Sequence, residues 1–382
     1  MDDALHRITA EACIAPVDLP PFPASAMDGY AVRRAAWQEH PSAPLRIIGE
    51  SLAGHPFRTG VDDGECVRIF TGAQMPKGAD QVLLQEEVAD ATPTHVTFKV
   101  HKLTESYVRP IAHDVAEGDI IIDENQQLSE FCLGSLCAAG VASVKTYRRL
   151  RIGVFSTGDE LAQPGQRLAP GQIYDSNRFT VLKLLRDLPA ELIDLGVLAD
   201  DPAAIEQALS SHAQTCDAII TSGGVSVGDA DFVTSTIRTL GQLDFWKMNL
   251  KPGKPMAVGR IGDCVLFGLP GNPVSTIVTL LLVAKPALLV MAGCNSQDFL
   301  PNFVHATVAT PLTHTPGRTE FQRASLITDR TGALTIHHTG DQSSNRLSSF
   351  AGANCLVEIP KHRGDIPSGS VLRVLPFRGL VS

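Results

Sequence analysis

The sequence lacks any pair of cysteines with the C-x-x-C spacing that zinc sites and thiol redox motifs use. Its eight cysteines are spread from Cys13 to Cys355, and most of them lie inside apolar runs. Cysteines in such positions are typical of reduced, buried side chains in a cytosolic protein. The sequence therefore predicts neither a disulfide framework nor a structural zinc site.

An excess of positive charge is also missing. The formal net charge is −9 over 382 residues, whereas nucleic-acid-binding domains are usually basic. A general nucleic-acid-binding surface is therefore not expected. Any bound anion has to be held locally, by backbone amides, a few lysines or a metal ion.

Signals for export or membrane insertion are absent from the pattern as well. The N-terminal residues are acidic and mixed, unlike the basic and then apolar start of a signal peptide. The most apolar run, STIVTLLLVAKPALLVMAGC from Ser275, is interrupted by Lys285 and Pro286, which favours a buried helix over a membrane span. We expect a cytoplasmic protein that makes no membrane contact.

The pattern of apolar residues changes along the chain and predicts several domains. Between Cys66 and Val88, short apolar runs separated by Gly and Pro are typical of β-structure with turns. From Arg151 to about Cys294, apolar runs alternate with helical segments, which predicts a parallel sheet covered by helices on both faces. After Phe303, short strand-like runs between turn residues indicate a small all-β domain.

Capping residues predict where several helices begin. Ser129 precedes one helical run, and Ser176 or Asn177 precedes another. The segment DDPAAIEQALSSH combines an aspartate cap with Pro202 in the first turn, which is a favourable start for a helix.

Acidic residues follow three of the predicted parallel strands, at the end of the sheet where ligands bind in such folds. The three clusters are Asp159 with Glu160, Asp200 with Asp201, and Asp229 with Asp231. Local roles remain open for some of them, because an aspartate also caps helices and shapes turns. Caps alone do not require acids after three strands, so the convergence favours a functional site.

A glycine-rich segment, TSGGVSVGDADF from Thr221, follows one of these strands. It matches neither G-x-G-x-x-G nor G-x-x-x-x-G-K-[ST], so neither a Rossmann nor a P-loop site is predicted. Backbone amides at such a turn nevertheless suit a phosphate. Carboxylates beside it suit Mg²⁺, which is usually held by one or two carboxylates together with phosphate oxygens and water. We therefore predict a metal-bridged anion site here, with Asp229 alternatively serving only to start the next helix.

Further candidates lie elsewhere in the chain. The segment FWKMNLKPGKP from Phe245 carries Lys247 and Lys251; lysines usually lie on solvated surfaces, but a stiff Pro-Gly turn with lysines also suits an oxyanion. By composition alone, the segments with Asp28, Thr71 and Arg323 are ordinary turns and polar strand ends.

Taken together, these segments resemble the molybdopterin molybdenumtransferase family of the MoeA type, which is related to the gephyrin E domain. The combination is highly specific, although no single piece is, and the pieces occur in the family's order from about Pro20 onward. The matching pieces are SAMDGYAVR, RIFTGAQMPKGADQVLLQEE, GVFSTGDEL, GQIYDSNR, TSGGVSVGDADF, FWKMNLKPGKP and LFGLPGNPVS.

The resemblance implies a multidomain α/β fold with a central, doubly wound parallel sheet of the MogA-like type. The implied domains are a discontinuous, elongated first domain (1–25 and 115–148), a β-rich second domain (26–114), the α/β molybdopterin-binding domain (149–297) and a small C-terminal β-barrel (302–382). Members usually carry a further helical stretch before the position of Met1. The resemblance also implies a homodimer.

The implied activity is the last step of molybdenum cofactor synthesis. Molybdenum from molybdate is inserted into adenylylated molybdopterin, and AMP is released with the help of Mg²⁺. The implied protein partners are the adenylyltransferase that supplies the substrate and the molybdoenzymes that receive the product.

By motif match, the resemblance assigns catalytic and binding residues, with Asp28 and Thr71 contributed by the partner subunit. The catalytic residues are Asp28, Thr71, Glu160, Asp200 and Asp231, of which Glu160 and Asp231 are the metal ligands. The substrate-binding residues are Gly223, Gly224, Ser226, Gly228, Lys247, Lys251, Pro270, Pro273, Arg323 and Ser344.

Two other functions remain open from the sequence. Adenylyl transfer from Mg-ATP to molybdopterin belongs to proteins that resemble the central region alone, and a non-catalytic scaffold would bind the pterin or molybdate without turnover. The flanking segments and the full set of acids favour molybdenum insertion, with tungstate as a possible alternative to molybdate.

Overall fold

The computed structural model describes residues 1, 3–100, 102–225, 232–295 and 300–377. For residues 245–247 it describes the backbone and not the side chains. The described residues form two compact units. The first unit comprises residues 1–5, 11–124 and 128–145. The second comprises residues 6–10 and 125–127 and the described residues from Thr146 onward.

The first unit is built mainly from short strands. Its strands are β1 (Cys13–Ile14), β2 (Ala24–Ser25), β3 (Gly29–Val32), β4 (Leu45–Ser51), β5 (Glu65–Ile69), β6 (Gln81–Leu84), β7 (Val88–Ala91), β8 (His95–Phe98), β9 (Val108–Arg109) and β10 (Ile120–Ile122). A sheet with the order β6-β3-β5-β4-β8-β7 contains six of them, and β1 pairs with β10 and β2 with β9. In β8, Val96 and Phe98 are buried while His95 is exposed, which is the alternation expected of a half-buried strand.

Two helices, α1 (Arg34–Glu39) and α2 (Glu130–Ala138), accompany these strands. Helix α2 begins where the sequence predicts, because the Ser129 hydroxyl accepts a hydrogen bond from the backbone N–H of Cys132 at 3.2 Å. This bond satisfies one of the amides that a helix leaves unpaired in its first turn.

In the second unit, strands and helices alternate between Leu150 and Met291. The elements are β11 (Leu150–Thr157), β12 (Leu161–Ala162), β13 (Ile173–Tyr174), α3 (Asn177–Leu184), β14 (Ala190–Leu198), α4 (Pro202–His212), β15 (Ala218–Ser222), α5 (Phe232–Leu240), β16 (Gln242–Lys247), β17 (Leu250–Lys251), β18 (Pro255–Ile261), β19 (Cys264–Leu269), α6 (Pro273–Thr279) and α7 (Lys285–Met291). A π-helical turn, Leu280–Ala284, joins α6 to α7.

The central sheet has the order β14-β11-β15-β19-β18-β16. Strands β14, β11, β15 and β19 are parallel, as the sequence predicts. Strands β18 and β16 run antiparallel and form an edge that the alternation of strands and helices did not reveal. The cause is a two-residue turn, Gly262-Asp263, between β18 and β19, with Gly262 at φ +58°. A turn of this length joins neighbouring antiparallel strands.

Helices cover both faces of this sheet, which confirms the doubly wound architecture. One core contains Val181 of α3 and Leu288 of α7. The other contains Ile205 of α4 and Ile237 of α5. Fully burying an aliphatic side chain of this size stabilises a fold by about 1.5–3 kcal/mol, so both helical layers are held firmly to the sheet.

The apolar run from Pro273 to Met291 is, among the described helices, the one long and apolar enough to cross a membrane by length and composition. Within the second unit, Val278, Leu280 and Leu288 are fully buried. Leu280 and Leu288 pack into a core of the central sheet. Val278 packs into the cluster between this helix and the C-terminal strands. The interpretation of this run as a buried helix is confirmed.

The C-terminal strands form a small closed barrel, as predicted. These strands are β20 (Val304–Val308), β21 (Thr319–Thr328), β22 (Leu334–His338), β23 (Cys355–Ile359) and β24 (Val371–Pro376). Their pairing runs β21-β22-β20-β24-β23 and closes through β21 with β23, while β17 adds to β21. The interior is filled by Val308, Ile336, Val357 and Val374, so this is a packed core rather than a ligand cavity.

None of the eight cysteines, all of them within the described residues, forms a disulfide. Most are buried, although Cys137 is exposed and Cys132 is half-buried. Burial raises the pKa of Cys66, Cys264 and Cys355 to about 12. These three thiols are therefore poor nucleophiles, in keeping with a purely structural role.

Candidate functional site

A cleft of about 670 Å³ opens at the carboxyl ends of the parallel strands of the central sheet. Glu160 follows β11, Asp200 follows β14, and Gly223 follows β15. The loop after β19 closes one side with Pro270 and Pro273. The cleft therefore lies where the topology predicts a ligand site, and it collects several of the residues that the sequence singles out.

The turn after β15 requires glycine at two successive positions. Gly223 has φ +96° and Gly224 has φ +66°, a region that side chains strongly disfavour. A Cβ on Gly223 would lie 2.7 Å from the carbonyl oxygen of Thr157, and a Cβ on Gly224 would lie 2.6 Å from Val233. The two glycines thus let the turn pass close to β11, with its backbone exposed to the cleft.

The acidic residues beside this turn repel one another. The backbone N–H of Asp200 donates to Asp159 Oδ1 at 3.1 Å. Burial and the charges of Asp159 and Glu160 raise the pKa of Asp200 above its usual value. Glu160 and Asp200 both line the cleft, so a divalent cation there would relieve the repulsion.

Asp201 has a different role from its neighbour. Its carboxylate accepts hydrogen bonds from the backbone N–H groups of Ala203 and Ala204, at 3.3 and 3.1 Å. It is the N-cap of α4, with Pro202 at the first helical position. The capping interpretation holds for Asp201, and the side chain of Asp200 remains available to the cleft.

The loop before α6 is tied to the C-terminal barrel unit. The Asn272 side-chain amide donates to Ser344 Oγ at 3.1 Å, and the backbone N–H of Val274 donates to the Ser344 carbonyl at 3.0 Å. Asn345 and Leu347 line the cleft from the same side. Ser344 therefore holds the Pro270–Pro273 wall in place at the rim of the cleft.

Arg323, predicted to bind substrate, is placed elsewhere. Arg323 is buried, with 1% of the residue exposed, and its guanidinium donates to Ser349 Oγ and to the carbonyls of Asp341, Gln342 and Ser343. Among the described residues, the structure does not bring Arg323 to the cleft. Its contacts instead hold the loop that precedes Ser344.

Lys251 is also outside the lining of the cleft. Its ammonium donates to Glu320 Oε2 at 3.0 Å, and Glu320 is almost fully buried in β21. The lysine side chain itself is 44% exposed, so two of its three donors can still reach an anion. Lys247 lies at the end of β16, and its side chain is outside the described part of the structure.

The first unit brings Asp28 and Thr71 together, although 43 residues separate them in sequence. Asp28 Oδ1 accepts hydrogen bonds from the Thr71 backbone N–H at 2.7 Å and from its hydroxyl at 2.8 Å. These bonds, the backbone one first, lower the pKa of Asp28. Both residues are exposed, so an ionised carboxylate is presented in a fixed orientation.

Several predicted residues lie outside the described residues. They are Ser226, Gly228, Asp229 and Asp231, all in the segment 226–231 between β15 and α5.

Sequence analysis missed the polar floor of the cleft. The Ser156 hydroxyl contacts Asp175 Oδ1 at 3.1 Å and Ser222 Oγ at 2.8 Å, and all three residues are buried. Arg178 donates to the other oxygen of Asp175 at 2.9 Å. Only the register of β11 and β15, which pairs Ser156 with Ser222, brings these residues together.

Two further polar atoms at the cleft have no hydrogen-bond partner within the described chain. They are Thr157 Oγ1 and Asn177 Oδ1, and both are buried. The other end of the Asn177 amide donates to the Gly271 carbonyl at 2.7 Å. A buried polar atom without a partner costs about 1–3 kcal/mol, so these atoms are suited to a ligand or to an ordered water.

This donor set fits a divalent cation and a phosphate ester. Mg²⁺ is usually held by one or two carboxylates and completed by phosphate oxygens and water, and the cleft offers Glu160 and Asp200. No group of three or more potential metal ligands occurs among the described residues, so a metal held by protein side chains alone is not indicated there. The cation fits together with an anionic ligand.

Comparison with known proteins extends over the whole chain. Three family models match in succession: the MoeA N-terminal region (domain I and II) at residues 1–140, a probable molybdopterin binding domain at 153–290, and the MoeA C-terminal region (domain IV) at 305–377.

Individual relatives agree with these matches. The molybdopterin molybdenumtransferase of Haemophilus influenzae is 40% identical over 100% of this chain and 94% of its own length. That of a Nostoc species is 34% identical over 97% of this chain and 86% of its own. The MoeA protein from Pyrococcus horikoshii has a similar structure, with a TM-score of 0.81 and 25% identity over 98% of this chain and 93% of the other. The chain therefore belongs to the molybdopterin molybdenumtransferase family of the MoeA type.

Proposed function

We propose that this protein inserts molybdenum from molybdate into adenylylated molybdopterin and releases AMP, the last step of molybdenum cofactor synthesis. The observation that carries this proposal is the cleft itself. It combines a glycine turn, unpartnered polar atoms and two carboxylates at the ligand end of a sheet. Family membership over the full length of the chain supports the same activity.

Binding of the substrate's phosphates follows from the glycine turn. Gly223 and Gly224 expose backbone to the cleft, and Thr157 Oγ1 beside them has a proton to donate. The proposed phosphate site includes Ser226 and Gly228 from the same loop. Pro270 and Pro273, in the loop after the neighbouring strand β19, form a stiff wall of the cleft, which suits a flat pterin or adenine ring.

Glu160 and Asp231 are proposed to hold Mg²⁺, and Asp200 lines the same cleft as Glu160. When bound, the cation would offset the charge that develops as the phosphoanhydride is cleaved. Burial and the charges of Asp159 and Glu160 raise the pKa of Asp200, so a cation beside it would favour its ionised form. Lys247 and Lys251 are proposed to attract the molybdate anion.

Asp28 and Thr71 are proposed to act on the cleft of a partner subunit in a homodimer. The support is their mutual hydrogen bonding, which fixes an exposed carboxylate, and the resemblance that assigns them a catalytic role. The protein is proposed to work in the cytoplasm, between the adenylyltransferase and the receiving molybdoenzymes.

One incubation distinguishes molybdenum insertion from adenylyl transfer to molybdopterin. The protein is incubated with molybdopterin and Mg-ATP but without molybdate, for a time in which an adenylyltransferase would turn over many times. It should form no adenylylated molybdopterin. Rapid formation of adenylylated molybdopterin would show that the protein is an adenylyltransferase and would overturn the assignment of molybdenum insertion. A scaffold without turnover would bind adenylylated molybdopterin yet release no AMP when molybdate is added.

A further inference from the structure

A second cavity, of about 450 Å³, lies between the helices of the sheet domain and the C-terminal barrel. Its walls are mainly apolar and include Leu184, Leu281, Phe350 and Phe377. Phe350 and Phe377 pack against each other with ring centroids 5.6 Å apart. The cavity shares only Leu347 with the cleft, so the proposed function does not account for it.

One charged side chain, Lys285, lies among these apolar walls. It belongs to the series Ile277, Leu281, Lys285 and Leu289, spaced every four residues along α6, the π-helical turn and α7, and every member lines the cavity. Side chains four apart share a face of a helix. The lysine therefore stands in the middle of an otherwise apolar stripe.

The ammonium of Lys285 is poorly satisfied. Among the described residues, Nζ donates one long hydrogen bond, 3.4 Å, to the carbonyl of Leu184. Within the described residues, no carboxylate forms an ion pair with it. Burial lowers the pKa of Lys285, and the more distant charge of Asp187 offsets only part of this effect. A cation without a close partner in apolar surroundings is costly, and an anionic group would remove that cost.

We propose that this cavity binds a small amphipathic anion, with a carboxylate head on Lys285 Nζ and an apolar body against the phenylalanine and leucine walls. The volume is in the range of small-molecule sites. An ammonium–carboxylate hydrogen bond in a half-buried place is among the stronger polar contacts. A neutral ligand leaves the ammonium unpaired, and a polyanion such as a nucleotide leaves its further charges in contact with the apolar walls.

The test measures binding of two probes of matched length, octanoate and 1-octanol, by isothermal titration calorimetry on the full-length protein. Wild-type protein should bind octanoate saturably and about tenfold or more tighter than 1-octanol. Lys285→Met should reduce octanoate affinity about tenfold and leave 1-octanol unchanged. Lys285→Arg, which keeps the charge, should stay within about threefold of wild type.

Two further variants complete the design. Lys183→Met removes an exposed lysine that lies over the Phe179 ring on α3, and it should bind octanoate like wild type. Leu289→Trp fills the cavity and should abolish binding of both probes, which keeps the test decisive if Lys285→Met fails to fold. The proposal is overturned if octanoate does not saturate the wild type by about 10 mM, if Lys285→Met binds it as tightly, or if 1-octanol binds as well as octanoate.

Discussion

Asp200 and Asp201 are adjacent in the sequence, yet their carboxyl groups meet opposite conditions. Asp201 accepts two backbone hydrogen bonds at the start of α4. Asp200 lines the cleft, where burial and the charges of Asp159 and Glu160 raise its pKa. One carboxylate stabilises the fold, whereas the ionised form of the other destabilises it.

This difference predicts opposite effects of two substitutions on stability. A raised pKa means that the folded state binds the Asp200 proton more tightly than the unfolded state, so ionised Asp200 destabilises the fold at neutral pH. Asp200→Asn should therefore raise the unfolding temperature at pH 7 by about 1–2 °C. The gain should fade below pH 3.8, the ordinary aspartate value, where Asp200 is protonated in both states. Thermal unfolding monitored at both pH values measures this.

Asp201→Ala is the matched comparison. Loss of the cap should lower the free energy of unfolding by about 1 kcal/mol, while AMP release stays near that of wild type. If Asp200→Asn destabilised the protein at pH 7, or Asp201→Ala abolished the activity, the division of roles between the two residues would be wrong.

The hydrogen bonds from Thr71 are predicted to lower the pKa of Asp28. Thr71→Val keeps the backbone hydrogen bond to Asp28 Oδ1 but removes the one from the hydroxyl, so the pKa of Asp28 should rise toward its ordinary value. Thr71→Ser should leave it unchanged. Carbon-detected NMR titration of the Asp28 carboxyl group measures the shift, and an equal pKa in Thr71→Val and wild type would contradict the geometry.

At the residue scale, sequence patterns found acids and glycines better than they found the roles of basic residues. Glu160, Asp200 and Gly223 follow strand ends, and a parallel sheet brings strand ends together. Lys251 in β17 and Arg323 in β21 lie on neighbouring strands of one sheet. Whether such a side chain points into a barrel core or into a cleft depends on the pairing register of its strand. A local sequence motif does not specify that register. Thr157 was missed because a threonine at the end of a strand is unremarkable until its neighbours are known.

Among the elements, the turn after β15 is the one whose backbone depends most on residue type. Gly223→Ala places a Cβ at φ +96° and 2.7 Å from the Thr157 carbonyl. The strain and the clash together should lower the free energy of unfolding by about 2–4 kcal/mol. AMP release should also fall, because the turn is displaced. The midpoint of urea unfolding measures the loss of stability.

Gly271→Ala is a close control in the loop after β19, which lines the same cleft. The nearest atom to its added Cβ is Gly223 Cα at 3.8 Å, an ordinary contact. Its stability should lie within about 0.5 kcal/mol of wild type. Equal destabilisation by the two substitutions would show that crowding at Gly223 is not the cause.

The elements of the central sheet were largely predictable, because apolar runs that alternate with capped helices specify parallel strands. The barrel strands were likewise recognisable as short runs between turns. The antiparallel edge was not, since the direction of β18 depends on the Gly262-Asp263 turn. The sequence between Gln242 and Leu269 contains no helix that would have marked a crossover. The boundaries of the four domains remain predictions.

At the scale of the whole molecule, the proposed dimer predicts that two inactive variants complement each other. If Asp28 serves the cleft of a partner subunit, co-expressed Asp28→Asn and Glu160→Gln chains should recover activity that neither variant has alone. Random pairing makes half of the dimers mixed, each with one intact site of two, so about a quarter of wild-type activity is expected. Molybdate-dependent AMP release from the co-purified chains measures it; no recovery would place the residues in the same subunit or in separate functions.

The most direct test of molybdenum insertion is the stoichiometry of a single reaction. Wild-type protein is incubated with adenylylated molybdopterin, Mg²⁺ and molybdate, and released AMP is compared with the molybdenum found on the pterin by mass spectrometry. The account predicts one AMP for each molybdenum transferred, no AMP without molybdate, and a rate at least about 100-fold lower in Glu160→Gln. AMP release that is independent of molybdate, or equally fast in Glu160→Gln, would contradict the account.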